Sequence, residues 1–344
     1  MNKSNTDKSA KSNIGIIGNS NFVSGDYNRA LSLYEEALEI ARKNGDKETE
    51  AATLGNLGSA YAAKGDTRHA IELYEQTLVL SRELGDSKGE SNALGNLGVA
   101  YLNLVEIPRA IEFLEQALVI AREIGDKAGE ANRLSNLGNA HAMQGEYLRA
   151  LEFYEQALII TRELGDYMGE SATLNNLGNA YLTTGNIERA RTLYEESLAI
   201  SERVGNTNGT SFAYSNLGNI LLRKGDFDLA LKYAEKSLEL TREIGDQRGE
   251  ALRLGTLGNI YTKLGKTENA VHYYREALNI ANRVGDRRTE ALSLFNLGRV
   301  LHKEKKNEEA IKYLNDALVI AKKLNLSSVN AISQELDLVS KTKK

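Results

Sequence analysis

The chain contains no cysteine, and its 344 residues include only one proline. Without cysteine it can form neither disulfide bonds nor thiolate metal sites, which is compatible with a reducing compartment. Proline interrupts helices. A single proline beside 41% apolar and 26% charged residues therefore favours a folded, mostly helical protein over a disordered one.

Long apolar runs are also missing. No stretch approaches the roughly 20 apolar residues that a membrane-spanning helix needs. The N-terminal segment MNKSNTDKSAKS has lysines but no apolar run of signal-peptide length. We therefore expect a cytoplasmic protein with no membrane partner. Residues 1–12 are polar, show no helical period and are predicted to form a disordered tail.

A basic excess is the third feature that the chain lacks. Its formal net charge is −4, whereas a general nucleic-acid binder needs a basic surface to displace counterions from phosphates. No nucleic-acid partner is therefore expected, although a local basic patch is compatible with this net charge.

What the chain does have is a repeat of forty residues, best seen in Leu134–Asp166, LSNLGNAHAMQGEYLRALEFYEQALIITRELGD. A Leu-Gly step marks each copy. It falls at Leu57-Gly58, Leu97-Gly98, Leu137-Gly138, Leu177-Gly178, Leu217-Gly218, Leu257-Gly258 and Leu297-Gly298, with Ile17-Gly18 as a weaker first copy. The length alone would suggest two separate domains. We predict eight stacked repeats instead, because such repeats form one body with a continuous core.

Each repeat has the apolar spacing of two helices. In the second repeat, the two helices are separated by Lys64-Gly65-Asp66, which indicates a helix end, a glycine C-cap and the N-cap of the next helix. Gly85 and Asp86 end the second helix in the same way. The predicted fold class is thus all-α, an α-solenoid of about eight stacked helical hairpins.

The spacing of Leu57, Gly58, Tyr61, Ala70 and Tyr74 resembles the tetratricopeptide repeat, although that family has a period of about 34 residues. The six extra residues fall where the family has a helix-ending proline. Arginine stands there in this chain, at Arg82, Arg122, Arg162 and Arg242.

The LGN triplet of Leu137-Gly138-Asn139 and the linker RELGDxxGE of Arg82–Glu90 and Arg162–Glu170 are similar to the forty-residue repeats of Pins-type G-protein-signalling modulators and their prokaryotic relatives. The resemblance covers residues 13–325. It implies a superhelix whose first helices line a concave groove, and a protein-interaction scaffold. The C-terminal motifs with which those modulators bind G-protein α subunits have no counterpart here.

Residues 326–344 depart from the repeat. Val329, Ile332, Leu336 and Val339 form one apolar stripe, which predicts a last helix covering the open end of the stack. The expected organisation is a tail at 1–12, a solenoid at 13–325 and a C-terminal capping helix and tail at 326–344. The glycine of each Leu-Gly step lies inside a helix, at a cost of about 1 kcal/mol against alanine. We expect it to permit close approach of the partner helix, opposite small residues such as Ala70.

The sequence gives little support for a catalytic or metal-binding site. The four histidines, His69, His141, His272 and His302, occupy four different positions of the repeat and cannot gather on one face. We interpret them as surface or boundary residues. No enzyme activity, catalytic residue, metal site or cofactor is expected.

Asparagine is the informative residue. We number the first helix of each repeat so that Leu57 and its equivalents are position 7. Positions 2, 5, 6, 9, 12 and 13 then share one arc of the helix, away from the packed positions 4, 7 and 11. Asparagine recurs on this arc although it is a mediocre helix former. At position 6 it is Asn56, Asn96, Asn136, Asn176, Asn216 and Asn296, and at position 9 it is Asn139, Asn179, Asn219 and Asn259.

An amide side chain carries a donor and an acceptor, which match those of a peptide unit. We therefore predict that this asparagine ladder holds the backbone of an extended peptide or disordered protein segment. Cations Arg223, Lys263 and Lys303 at position 13, with Arg299 at position 9, predict a basic C-terminal half that favours an acidic segment.

Three alternatives stay open. The amides could bond to one another and merely order the stack. The solenoid could be an architectural element that self-associates or acts as a spacer, without a peptide ligand. Binding of RNA by helical repeats would need side chains that vary from repeat to repeat, which the uniform asparagines do not provide.

Overall fold

The computed structural model describes residues 17–22, 26–324 and 326–341, and it contains only helices and connecting turns over these ranges. The predicted tail at residues 1–12 lies outside the described residues. The chain divides into unit 1, Met1–Thr184, and unit 2, Gly185–Lys344. Residues 17–22 form α1. The other helices of unit 1 are α2 (Tyr27–Lys43), α3 (Lys47–Ala63), α4 (Thr67–Leu84), α5 (Ser87–Asn103), α6 (Ile107–Glu123), α7 (Lys127–Gln144), α8 (Tyr147–Leu164) and α9 (Tyr167–Thr183).

Unit 2 contains α10 (Ile187–Arg203), α11 (Thr207–Lys224), α12 (Phe227–Glu243), α13 (Gln247–Lys263), α14 (Thr267–Val284), α15 (Arg287–Lys303), α16 (Asn307–Lys323) and α17 (Val329–Lys341). Within each unit, consecutive helices pack on one another, and so do the first helices of neighbouring repeats, such as α5 on α7 and α13 on α15. Each unit is therefore a stack of helical hairpins, which confirms the predicted all-α solenoid class. No helix in the described ranges is long and apolar enough to cross a membrane.

The helix ends follow the predicted capping residues. Oδ1 of Asp66 accepts the backbone N–H of His69 at 3.2 Å, and Oδ1 of Asp86 accepts that of Gly89 at 2.9 Å. Gly85 closes α4 with φ 67°, in the left-handed region that glycine enters without a Cβ clash. Within residues 26–324, two turns lack this glycine. Val105 and Lys305 take φ values of 63° and 60° instead, which costs an L-residue roughly 1–2 kcal/mol.

The glycine of the Leu-Gly step makes room for a ring. A Cβ on Gly58 would lie 2.6 Å from Cε1 of Tyr74, a residue of the partner helix α4. The tyrosine of the partner helix fills the same space beside Gly18, Gly138 and Gly258, and a leucine fills it beside Gly98 and Gly298. The expected close approach is thus made by an aromatic or leucine side chain four residues beyond the small alanine.

An ion pair joins successive repeats and explains the arginine that replaces the family's proline. Nε of Arg82 lies 2.7 Å from Oε1 of Glu90 across the turn between α4 and α5. The same link recurs as Arg42–Glu50, Arg122–Glu130, Arg162–Glu170 and Arg242–Glu250. The extra residues of the forty-residue period therefore extend the second helix by a turn and carry this bridge.

The last helix behaves as predicted. Ile332 and Val339 of α17 are fully buried in the cluster formed with α15 and α16. Glu335, on the same helix, lies 2.9 Å from Nδ1 of His302. The stripe of Val329, Ile332, Leu336 and Val339 therefore packs on the end of the stack in unit 2.

Candidate functional site

In α7, exposure follows the helical wheel predicted from the sequence, whereas Asn175 and Ser215 at position 5 of other first helices are buried. In α7, Leu134 and Leu137 at positions 4 and 7 are fully buried. Asn136 and Asn139 at positions 6 and 9 are half-buried, and Met143 at position 13 is exposed. We call the exposed arc of α3, α5, α7 and α9 in unit 1, and of α11, α13 and α15 in unit 2, the first-helix surface.

At position 9, the side-chain oxygens of Asn139 and Asn259 are each held by a tyrosine of the same hairpin. The hydroxyl of Tyr154 donates to Oδ1 of Asn139 at 2.7 Å, and that of Tyr274 donates to Oδ1 of Asn259 at the same distance. Burial raises the pKa of both tyrosines, so the hydroxyls stay protonated donors. The amide nitrogen is then the part of these side chains that is left for other contacts.

At position 6, the arrangement differs. Asn96, Asn136 and Asn176 are half-buried, and none of the three side chains makes a hydrogen bond within the described ranges. Asn56 donates a long bond of 3.4 Å to Oδ1 of Asn19 in the preceding repeat. The amides of Asn96, Asn136 and Asn176 therefore retain both donor and acceptor within the described ranges.

The remaining predicted residues lie on the same surface with different exposure. Asn179 is exposed, and Asn216 and Asn219 are half-buried. Asn296, by contrast, is only 9% exposed. It nevertheless lines a pocket on α13 and α15 with Asn259 and Arg299.

Unit 1 has a pocket of about 680 Å³ on this surface, within the size range of ligand sites. Asn56 and Asn96 line it together with Asn92 and Arg133. The Arg133 guanidinium donates to Oδ1 of Asn92 at 2.9 Å and to the Ser91 carbonyl at 3.2 Å. The Arg133 Nε occupies the space that a Cβ on Gly95 would take.

Arg133 is only 8% exposed, and its Nε has no acceptor within the described ranges. Burial lowers the pKa of its guanidinium, and the charge of Asp126 opposes that shift. Arg253 occupies the equivalent position 3 in unit 2 with the same burial and the same orphaned Nε. The sequence interpretation did not predict these two buried arginines. The signal that could have revealed them is a charged residue at position 3, which is alanine, serine or threonine in the other repeats.

Unit 2 has a pocket of about 250 Å³ on its part of the surface. It brings together five of the predicted residues, which are Asn259, Lys263, Asn296, Arg299 and Lys303. Residues from adjacent first helices thus converge on one cavity that carries two amides and three cations.

The cations differ in what they contact. Nε of Arg299 lies 3.9 Å from a carboxylate oxygen of Glu335 on α17, so its charge is partly offset. Arg223, Lys263 and Lys303 at position 13 are exposed and make no ion pair within the described ranges. Three uncompensated positive charges therefore follow one edge of the surface in unit 2.

Two features differ from the sequence interpretation or escaped it. His141 is 5% exposed, so its interpretation as a surface or boundary residue is wrong. Its ring stacks on Phe153 at 5.2 Å and its Nδ1 lies 2.8 Å from Glu146, because it takes the packed position 11. The sequence interpretation did not single out Phe212, Leu252 and Leu292, whose side chains are exposed. Their signal in the sequence was an apolar residue at position 2, on the exposed arc, in three successive repeats.

The forty-residue hairpins and their Leu-Gly-Tyr packing define a class of helical repeat protein. The sequence matches the tetratricopeptide repeat family over residues 9–83, 89–163, 131–203, 169–243, 209–282 and 247–323, so the chain belongs to that family. The family is a protein-interaction scaffold, and its fold supports protein–protein interaction in general. The comparison with curated proteins finds no match.

Several solved structures share the fold. The apo form of RapI superposes with a TM-score of 0.64 at 15% identity, over 80% of this chain and 99% of that one. The Rap conjugation gene regulator of the plasmid pLS20, in complex with the Phr* peptide, gives 0.64 at 16% identity, over 79% and 74%. A STAND protein with a tetratricopeptide repeat sensor from Pyrococcus horikoshii gives 0.63 at 19% identity; it covers 90% of this chain, which spans 46% of that protein.

Proposed function

We propose that the chain binds an extended peptide or a disordered protein segment across its first-helix surface. The observation that carries this proposal is the set of position-6 amides. Asn96, Asn136 and Asn176 are partly accessible on successive first helices, and within the described ranges the rest of the protein uses neither their donors nor their acceptors. A residue that weakens a helix, and whose donor and acceptor are unused within the described ranges, needs another role.

Peptide backbone supplies the matching chemistry. Each peptide unit offers one N–H and one carbonyl, and an asparagine amide accepts the first and donates to the second. At position 9, Asn139 and Asn259 contribute their Nδ2 groups as donors, since their oxygens are occupied by Tyr154 and Tyr274. The ladder would then hold the ligand backbone, in unit 1 with Asn56, Asn96, Asn136, Asn139, Asn176 and Asn179, and in unit 2 with Asn216, Asn219, Asn259 and Asn296.

Charge selects the ligand in unit 2. Arg223, Lys263 and Lys303 have no carboxylate partner within the described ranges, and Arg299 shares the unit-2 pocket with two of them. An acidic segment would gain from all of these charges, and the gain would fall with salt because the side chains are exposed. The structure of the Rap conjugation gene regulator in complex with the Phr* peptide supports the idea that a fold of this kind can hold a peptide.

The test is a variant that removes only unbonded amides, Asn96→Ala, Asn136→Ala and Asn176→Ala together. Ligands would be selected from a phage-displayed library of twelve-residue peptides, synthesised with a fluorophore, and titrated by fluorescence anisotropy. We expect the fold to be intact by circular dichroism and the affinity to fall at least about tenfold, since each lost hydrogen bond is worth about 0.5–1.5 kcal/mol. Unchanged affinity in a folded variant would refute the amide ladder.

A second candidate role is self-association. Val79, Val119 and Ile159 recur every forty residues on the second helices of unit 1 and are 56%, 54% and 59% exposed. Exposed apolar side chains in register can support contact between copies. Light scattering across a concentration series would distinguish the two roles, because a mass that does not rise with concentration rules out self-association.

A further inference from the structure

Unit 2 carries an apolar row that unit 1 does not have. Phe212, Leu252 and Leu292 occupy position 2 of α11, α13 and α15, and they are 42%, 43% and 47% exposed. In unit 1 the same position is Ala52, Asn92, Asn132 and Ala172. Because unit 1 builds the same hairpins with alanine and asparagine there, packing of the repeat does not require the large apolar side chains.

The ring of Phe212 is held in place from one side. The guanidinium carbon of Arg253, which is buried, lies 4.7 Å from the centroid of the Phe212 ring. A cation over an aromatic face is attracted by the ring quadrupole and fixes the ring orientation. Phe212 is therefore an ordered side chain with a large exposed area, the property of a contact residue that loses little rotamer freedom on binding.

The opposite edge of the same helices carries charge. Arg223, Lys263 and Lys303 occupy position 13 of α11, α13 and α15, whereas unit 1 has Ala63, Asn103, Met143 and Thr183 there. Positions 2 and 13 are eleven residues apart, which is about 16 Å along a helix. The amide positions 6 and 9 lie between these two edges.

We infer that unit 2 recognises an extended peptide whose apolar side chains project to one side, onto Phe212, Leu252 and Leu292, and whose acidic side chains project to the other, onto Arg223, Lys263 and Lys303. In an extended chain successive side chains point in opposite directions, so one peptide can meet both edges at once. The inference rests on the proposed function, since it assumes that a peptide backbone lies along the amides, and it names the ligand as acidic and apolar in alternation.

Three fluorescein-labelled peptides of twelve residues test it. The first alternates leucine and glutamate, the second replaces every leucine by asparagine, and the third replaces every glutamate by glutamine. The protein variant is Phe212→Ala, Leu252→Asn and Leu292→Asn, which installs side chains that unit 1 already has at this position. Leu252→Asn alone serves as a milder second variant if the triple change lowers the melting temperature.

A control variant removes apolar side chains of similar exposure elsewhere, Val79→Asn, Val119→Asn and Ile159→Asn. We expect the wild-type chain to bind the leucine–glutamate peptide at least about tenfold more tightly than either altered peptide. The triple variant should lose that preference for leucine while its affinity for the asparagine–glutamate peptide stays the same. The control variant should bind all three peptides as the wild type does.

The outcomes separate the two proposals. Equal affinity of the wild type for the leucine–glutamate and asparagine–glutamate peptides would overturn the apolar edge and leave the amide ladder standing. The apolar edge would also be overturned if the triple variant kept the wild-type preference for the leucine–glutamate peptide, or if the control variant lost that preference. Absence of binding by all three peptides up to about millimolar concentration would overturn both the inference and the proposed function.

Discussion

The Tyr154 hydroxyl donates to Oδ1 of Asn139 at 2.7 Å, and the ring of the same tyrosine fills the space that Gly138 leaves by having no Cβ. One side chain thus links the packing of the hairpin to a predicted ligand-binding amide. The asparagine that follows the Leu-Gly step is consequently oriented by the core, with its nitrogen as the available half.

Tyr154→Phe should lower stability by about 1 kcal/mol, because it removes a part-buried hydrogen bond and leaves Oδ1 of Asn139 without its donor. Urea unfolding followed by circular dichroism measures the effect. Tyr74→Phe is the matched control, since the Tyr74 hydroxyl makes a longer bond of 3.3 Å to Ser59 and should cost less. Equal midpoints for the two variants would contradict this ranking.

Gly138→Ala and Gly218→Ala should shift stability in opposite directions. A Cβ on Gly138 collides with the ring of Tyr154, so overpacking should cost about 1–3 kcal/mol. A Cβ on Gly218 would make ordinary van der Waals contacts, the nearest with Ala230 O at 3.5 Å, because Ala234 replaces the tyrosine. That variant should gain up to about 1 kcal/mol of helix propensity. Thermal melting of both variants would show whether the tyrosine alone sets the need for glycine.

Val105→Gly should stabilise unit 1 by about 1 kcal/mol. Val105 holds φ at 63° and is 60% exposed, so glycine relieves backbone strain and loses little burial. The reverse change at the equivalent turn, Gly145→Ala, should destabilise, because Gly145 has φ 83°. A melting temperature that falls in Val105→Gly would show that the valine side chain contributes more than its backbone costs.

Glu335→Gln should strengthen the binding of acidic peptides by a factor of about two to five, in line with an exposed ion pair of up to about 1 kcal/mol. The change removes the carboxylate that offsets Arg299 and contacts His302. Titration with the leucine–glutamate peptide at low salt measures it. Glu304→Gln, at the C-cap of α15, removes one charge without touching Arg299. An affinity that rises equally in both variants would show a net-charge effect alone.

Much of the fold was predictable because its determinants are local. The turn of Lys64-Gly65-Asp66 and the cap at Asp86 act within a few residues, and the observed ends of α3, α4 and α5 follow them. Leu134 and Leu137 were predictable as core from the helical period alone.

The state of individual site residues was less predictable, because it depends on partners far along the chain. Asn139 is held by Tyr154, fifteen residues later, and Arg299 by Glu335, in a helix outside the repeat. Asn296 looked equivalent to Asn136 in sequence, but it is buried on α15 whereas Asn136 is half-buried. The binding roles of these amides stay predictions that the peptide titrations address.

The sequence alone determined the repeat, its two helices and the arc on which asparagine and the basic residues lie, since period and capping are properties of adjacent residues. Tertiary packing decided which of those side chains are available. The contact of Tyr154 with Asn139, of Glu335 with Arg299 and of Arg253 with Phe212 depends on how neighbouring helices meet, and no local pattern records it.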